Sequence, residues 1–307
     1  MSIGYIKASE SYLTVPDGYE QNFINSNFAS VSENAVVKIK ESGQIDNSDI
    51  DILEFVSEMG VVTREQIKRF CIKKGIENGE DRLAPLCNAC CLNSFVLTTE
   101  AKYKGKFPPD IMKYYVLHAG GAYLLERFKG IDMLNWTQAS NVMCSRLVGK
   151  SILNTELYLE MITQNKPLIY YDKAPIYDFA HNVALRGGAV YGFRAGDGSV
   201  FYLLTEIIRS SEKTKTIRQR VRNYETLVGT KYWRRYYNDS KEAPVLLFLT
   251  DNDDVAFSLA REIRDSTKLS TFMMSTDERI LKGISNEGSI FIYDRETDTM
   301  NESKIEI

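Results

Sequence analysis

Between Ser48 and Gly60 the apolar residues Ile52, Leu53, Val56 and Met59 recur at helical spacing, and Gly60 ends the run. Ser48 stands where an N-cap is wanted. Thr63 opens a second helix, with Gln66 three positions on in a capping-box pattern and Ile67, Phe70 and Cys71 as its apolar stripe. A third helix is predicted from about Asp81 through "DRLAPLCNACCLNS", with Leu83, Leu86, Cys87 and Cys90 facing inward and Pro85 in the first turn. Two strand-like pieces follow, "FVLTT" and "KYYVLH", on either side of the polar, basic "EAKYKGKFPPDIM". "GGAYLLERF" closes this block as a helix. Residues 1–44 show no such period apart from "AVVKIK", and read as a partly disordered arm.

The second half alternates differently. A long helical region from about Gln138 to Gln164 stops at Pro167. Strands are predicted in "PLIYYD", "PIYDFAHNVAL" and "AVYGFRAGDGSVFYLLTEII", the last folded on itself at Asp197-Gly198. A helix from about Thr214 precedes strand "PVLLFLT", helix "DVAFSLAREIRDS", strand "STFMMS", helix "DERILKG" and strand "SIFIYD". The pattern predicts an α+β chain with an arm over 1–44, a first domain over 45–130, and an α/β sandwich over 131–307.

Composition adds little until it is read locally. The 307 residues are 44% apolar and 26% charged with a net charge of −3, as in an ordinary globular protein. No apolar run approaches the roughly 20 residues that cross a bilayer. The polar first twenty residues carry no signal-like apolar core, which points to the cytoplasm and away from the membrane. Five cysteines, an odd number, argue against a disulfide framework. "CNACC" (Cys87, Cys90, Cys91) lacks a second ligand pair, and the chain has two histidines, His118 and His181, so thiols buried in a helix are expected rather than zinc. No metal or other cofactor is expected.

From Glu206 to Arg235, however, nine basic residues face three acidic ones. With Ile217 at zero and about 100° per residue, Val221, Tyr224 and Val228 cluster on one face, and Lys215, Arg218 and Arg222 fall opposite. Arg234 and Arg235 then sit among Tyr232, Trp233, Tyr236 and Tyr237. A cationic ridge followed by interleaved aromatics suits contacts to a nucleic-acid backbone. Ahead of the ridge, Asp178 and Glu206 lie on strands that a hairpin would set side by side, as two carboxylates around one divalent cation, with Glu156 and Glu160 as further candidate ligands.

Three short helices and a hairpin are the order of a winged helix-turn-helix, whose third helix enters the major groove. On that reading Arg82, Asn88 and Asn93 read bases, and Lys102, Lys104 and Lys106 on the wing hold phosphates. The second half resembles the PD-(D/E)xK nuclease fold in degenerate form. Its lysine position, two after Glu206, holds Ile208, and no "PD" precedes Asp178, since Pro175 and Asp178 are separated by Ile176-Tyr177. As a whole the chain resembles the replication-relaxation family of plasmid and conjugative-element proteins. The likeness lies in "ILEFVSEMGVVTREQIKRF", "YYVLHAGGAYLLERF" and "YLLTEIIRSSEKTKTIRQRVRNYETL" followed by "PVLLFLTD", over roughly 48–265. That resemblance implies a non-catalytic DNA-binding accessory factor that binds double-stranded origin-of-transfer DNA and assists a relaxase, and it is compatible with a homodimer. The residues also leave open a transcriptional or antitoxin-like repressor, and a metal-dependent nuclease built on Asp178 and Glu206.

Overall fold

The computed structural model describes residues 3–9, 13, 15–24, 31–103, 105–164, 167–179, 183–269 and 271–305. Two compact units divide the chain, Met1–Thr155 and Glu156–Ile307, both of mixed α and β structure. The division falls 25 residues later than the expected boundary at 130, because the intervening segment bonds back into the first unit. There Ser151 Oγ accepts the Val61 N–H at 3.1 Å, and Gln66 Nε2 donates to the Ile152 carbonyl at 2.9 Å.

The first unit begins with β1 (Glu20–Phe23) and α1 (Glu33–Glu41), so the segment expected to be an arm contributes a strand and a helix. Helix α2 (Asn47–Met59) is capped by Asp46, not Ser48, since Asp46 and Asp49 form the capping box; Gly60 ends it at φ 89°. Strand β2 (Val62–Thr63) leads into α3 (Arg64–Lys74), which has the Thr63/Gln66 capping box that the sequence predicts. Helix α4 (Leu83–Asn88) is only six residues long. After it come β3 (Leu92–Thr98), β4 (Tyr114–Leu117), α5 (Ala119–Lys129) and α6 (Ser145–Ile162), which crosses the division.

The sheet runs β1-β3-β4-β2, antiparallel at every pairing. This explains the short α4. Every residue of β3 is buried between two neighbouring strands, so its backbone must pair in the sheet. The chain leaves the helix through Cys90 in the left-handed region (φ 54°) and enters β3 at once. The third helix therefore ends well short of Asn93. Cys71 and Cys91 are buried, and burial pushes their thiols up to about 11 and about 12, which leaves them unreactive.

The second unit contains β5 (Leu168–Asp172), β6 (Ile176–Phe179), β7 (Val183–Arg186), β8 (Val190–Arg194), β9 (Val200–Ile207) and α7 (Thr214–Gly229). Strand β10 (Val245–Thr250), α8 (Asp253–Ser266), β11 (Met273–Thr276), α9 (Asp277–Leu281), β12 (Ile290–Asp294) and β13 (Thr299–Ser303) complete it. One seven-stranded sheet has the order β13-β12-β11-β10-β9-β8-β5, while β6 and β7 form a separate hairpin. Strands β9, β10 and β11 are parallel, joined by α7 and α8 as crossovers. Val221, Tyr224 and Leu227 of α7 and Ala256, Leu259 and Ile263 of α8 pack with Leu204, Leu246, Phe248 and Met274 in one core. Because side chains alternate along a strand, Glu206 points to the same face as Leu204, under α7.

Candidate functional site

Glu206 and Asp178 do not form a carboxylate pair. Asp178 lies exposed on β6, in the hairpin outside the main sheet. Strand β9 pairs instead with β8 and β10. The expected juxtaposition fails because β6 pairs with β7 and leaves "VYGFR" to pair with β9. Among the described residues no group of three or more His, Cys, Asp or Glu is placed to hold a metal ion.

Glu206 is 5% exposed and engaged on both oxygens. Arg220 Nη1 donates to Oε1 at 2.6 Å, and the Tyr224 hydroxyl donates to Oε2 at 2.8 Å. Arg220 and Tyr224 are four apart on α7, which sets both side chains on one helix face above the carboxylate. The other end of the Arg220 guanidinium takes Glu212, whose side chain also accepts the Arg209 N–H and so closes the loop between β9 and α7. Burial, and after it the neighbouring Glu206 carboxylate, push the Tyr224 phenol well above its ordinary range. The phenol therefore stays protonated and serves as a donor. A buried carboxylate needs a cation and hydrogen bonds to remain ionised. Here the protein's own arginine is that cation.

Gly188 completes this centre. The β8–β9 register ends where Val190 pairs with Leu204, and Gly188, in the bend just ahead of β8, lies against the backbone of Thr205 and Glu206. The Gly188 N–H donates to the Tyr224 hydroxyl at 3.1 Å. A Cβ at this position would lie 2.0 Å from the Thr205 carbonyl oxygen, so no side chain fits there. Gly188→Ala is expected to destabilise by about 3 kcal/mol or more through backbone displacement. Thermal unfolding of the variant measures it, and an unchanged midpoint would refute this account of the close approach.

Arg209 forms a second buried ion group beyond the end of β9. Its Nη1 reaches Asp277 at 2.7 Å and Asp251 at 3.2 Å, which ties the ends of the three parallel strands together. It is therefore occupied as a structural cation.

The ridge on α7 is divided by its partners. Lys215 and Arg222 are exposed and have no ion-pair partner among the described residues, as do Lys213 ahead of them and Lys231, Arg234 and Arg235 beyond the helix. Arg218 is 54% exposed but pairs with both oxygens of Glu262 on α8. Arg220, which the sequence counts with the other cations, turns inward. The wheel contains that signal: Arg220 falls within about 40° of Tyr224, beside the buried stripe rather than on the ridge.

In the first unit the predicted base-reading residues separate. Asn93 is 1% exposed on β3, and its Oδ1 accepts the Ser94 N–H, so it reads nothing outside the protein. Arg82 precedes α4 and pairs with Asp46 at 2.8 Å and Asp49 at 3.0 Å, and so holds the α2 capping box. Asn88 remains exposed, beside the small Ala84 and Pro85. Lys102 and Lys106 are exposed on the β3–β4 connection, which is pinned where the Tyr103 N–H donates to Asn22 Oδ1 at 2.7 Å; Lys104 lies outside the described residues. Comparison of the chain with protein-family models, with curated proteins and with solved structures gives no match.

Proposed function

We propose that the protein is a non-catalytic, double-stranded-DNA-binding factor whose phosphate contacts come from the exposed face of α7. The carrying observation is the division of labour on that helix. Arg220 turns in and neutralises Glu206, while Lys215 and Arg222 turn out with no acidic partner among the described residues. These two cations are seven positions apart, about 10 Å of helix rise. That distance matches about three base-pair steps of duplex.

Element order supports the rest of the reading. In the first unit, α2, β2, α3, α4, β3 and β4 follow the order of a winged helix-turn-helix, with β2 beside β4 and β4 beside β3. Lys102 and Lys106 on the β3–β4 connection then act as wing contacts. In the second, α6, β5, β8, β9, α7 and β10 run helix, three strands, helix, strand, as in the PD-(D/E)xK fold, with β6–β7 as an insertion. On that alignment Gly188, ahead of β8, lies against the Glu206 backbone, and Ile208 replaces the lysine. Neither replacement binds a metal or activates water. With the resemblance to the replication-relaxation family, the role is that of an accessory to a relaxase at a transfer origin.

Three measurements test this. Supercoiled plasmid incubated with the protein and Mg²⁺ or Mn²⁺ is expected to stay uncut; cleavage that Glu206→Ala abolishes would establish the nuclease instead. Mobility shifts over a salt series are expected to give tighter binding to an origin-of-transfer duplex than to random duplex. A footprint over the gene's own promoter with none at a transfer origin would establish a repressor.

A further inference from the structure

We infer that the edge of the second unit carries a separate binding platform for single-stranded DNA, with Tyr170 and Tyr236 as stacking surfaces and Lys231, Arg234 and Arg235 as phosphate contacts. This rests on the nucleic-acid reading above but concerns a different surface and a different strand state.

The platform is built by alternation in a short segment. Trp233 and Tyr237 are buried, and Arg234, Arg235 and Tyr236 are left outward. Tyr237 stands at the centre: its ring lies 4.2 Å from that of Tyr202, and its hydroxyl is 2.6 Å from the hydroxyl of Tyr177. Tyr170, 42% exposed on the edge strand β5, and Tyr236, 38% exposed, each lie 6.4 Å from the Tyr237 ring, centroid to centroid. The Tyr236 ring meets Tyr177 edge-on at 5.1 Å, and its hydroxyl accepts the Asp178 N–H at 2.6 Å. Two half-exposed rings are thus held by one rigid cluster, so little side-chain freedom is lost when a base stacks on either.

The cations are held in the same way. The guanidinium of Arg235 lies over the Tyr232 ring at 5.4 Å, and that of Arg234 over Trp233 at 5.4 Å. Neither they nor Lys231 has an acidic partner among the described residues. Rings that accept any base beside cations that follow the backbone are the arrangement of sequence-tolerant single-strand binding. In duplex DNA the base faces are stacked on one another, so the rings have nothing to take. Among the nearby carboxylates, Asp239 is held by the Tyr202 hydroxyl at 2.9 Å and Asp172 accepts the Ala174 N–H at 2.9 Å, whereas that of Asp178 is exposed.

The experiment is fluorescence anisotropy of the full chain with a labelled twelve-nucleotide oligo(dT), an oligo(rU) of equal length and a duplex. The Tyr170→Ala/Tyr236→Ala variant is expected to lose roughly tenfold in oligo(dT) affinity for each ring and to keep its duplex affinity. Tyr170→Phe/Tyr236→Phe is expected to bind oligo(dT) as the native chain does, because stacking needs the ring and not the hydroxyl. Asp178→Asn is expected to tighten oligo(dT) binding a few-fold by removing a like charge from the phosphate path. Tyr170→Ala alone, at an edge strand, carries the test if the double variant unfolds. Undiminished oligo(dT) binding by a folded alanine variant, or equal loss in the phenylalanine variant, overturns the inference. Tighter binding of oligo(rU) overturns the assignment to DNA. Duplex binding without any oligo(dT) binding sinks the platform alone, and absence of both sinks the function proposed above.

Discussion

Arg220→Met is expected to destabilise the second unit by about 3–5 kcal/mol, the cost of leaving a buried charge without its partner. The substitution keeps most of the side-chain volume, so the loss is electrostatic rather than a cavity. Glu206 and Glu212, both largely buried, lose their shared guanidinium, and the Tyr224 hydroxyl, a neutral donor, does not supply the lost charge. Denaturant unfolding measures the loss. A cycle with Glu206→Gln makes the cause visible: the double variant is expected to cost less than the sum of the singles, with a coupling of roughly 1–3 kcal/mol. Additive effects, or an Arg220→Met loss below about 1 kcal/mol, would mean that Arg220 is not the counter-charge of this centre.

The second large effect is on binding. Lys215→Ala with Arg222→Ala is expected to weaken duplex affinity about tenfold or more near 0.1 M salt, and to reduce the slope of log affinity against log salt by about 2. Each cation removed is one phosphate contact and one set of released counterions lost. Both residues are exposed and pack no core, so the thermal midpoint is expected to stay within about 1 °C. Arg218→Ala is the control. Its guanidinium is already held by Glu262, and it is expected to change the salt slope by less than half as much as either partner. An unchanged slope in the double variant would remove α7 from the interface.

Several parts of the chain are legible because they depend on neighbours in sequence. The Thr63/Gln66 capping box, the stop at Gly60, the Asp-Gly turn with Gly198 at φ 83° and the start of α7 at Thr214 are all local geometry. Strand β13 is missed, since "TMNES" is polar: it pairs only along the exposed edge of the sheet and needs no apolar face. Asn93 and Arg82 are misplaced for a different reason. Whether a polar residue faces solvent depends on what packs over it, and the short α4 puts Asn93 in a covered strand.

The site follows the same rule. By itself the sequence determined the periodic stripe of α7, its surplus of positive charge and the absence of a lysine two after Glu206, because these are properties of residue identity and spacing. Tertiary structure alone decided which strands lie beside β9, and so that the Gly188 backbone rather than Asp178 approaches Glu206, because strand pairing is non-local. It also decided which arginines are free. Along the chain only Arg220 is marked, by its place beside the buried stripe, while Arg209, Arg218 and Arg222 carry no sign of their partners; the carboxylates that the fold brings to Arg209, Arg218 and Arg220 leave Arg222 exposed to solvent without an ion-pair partner among the described residues.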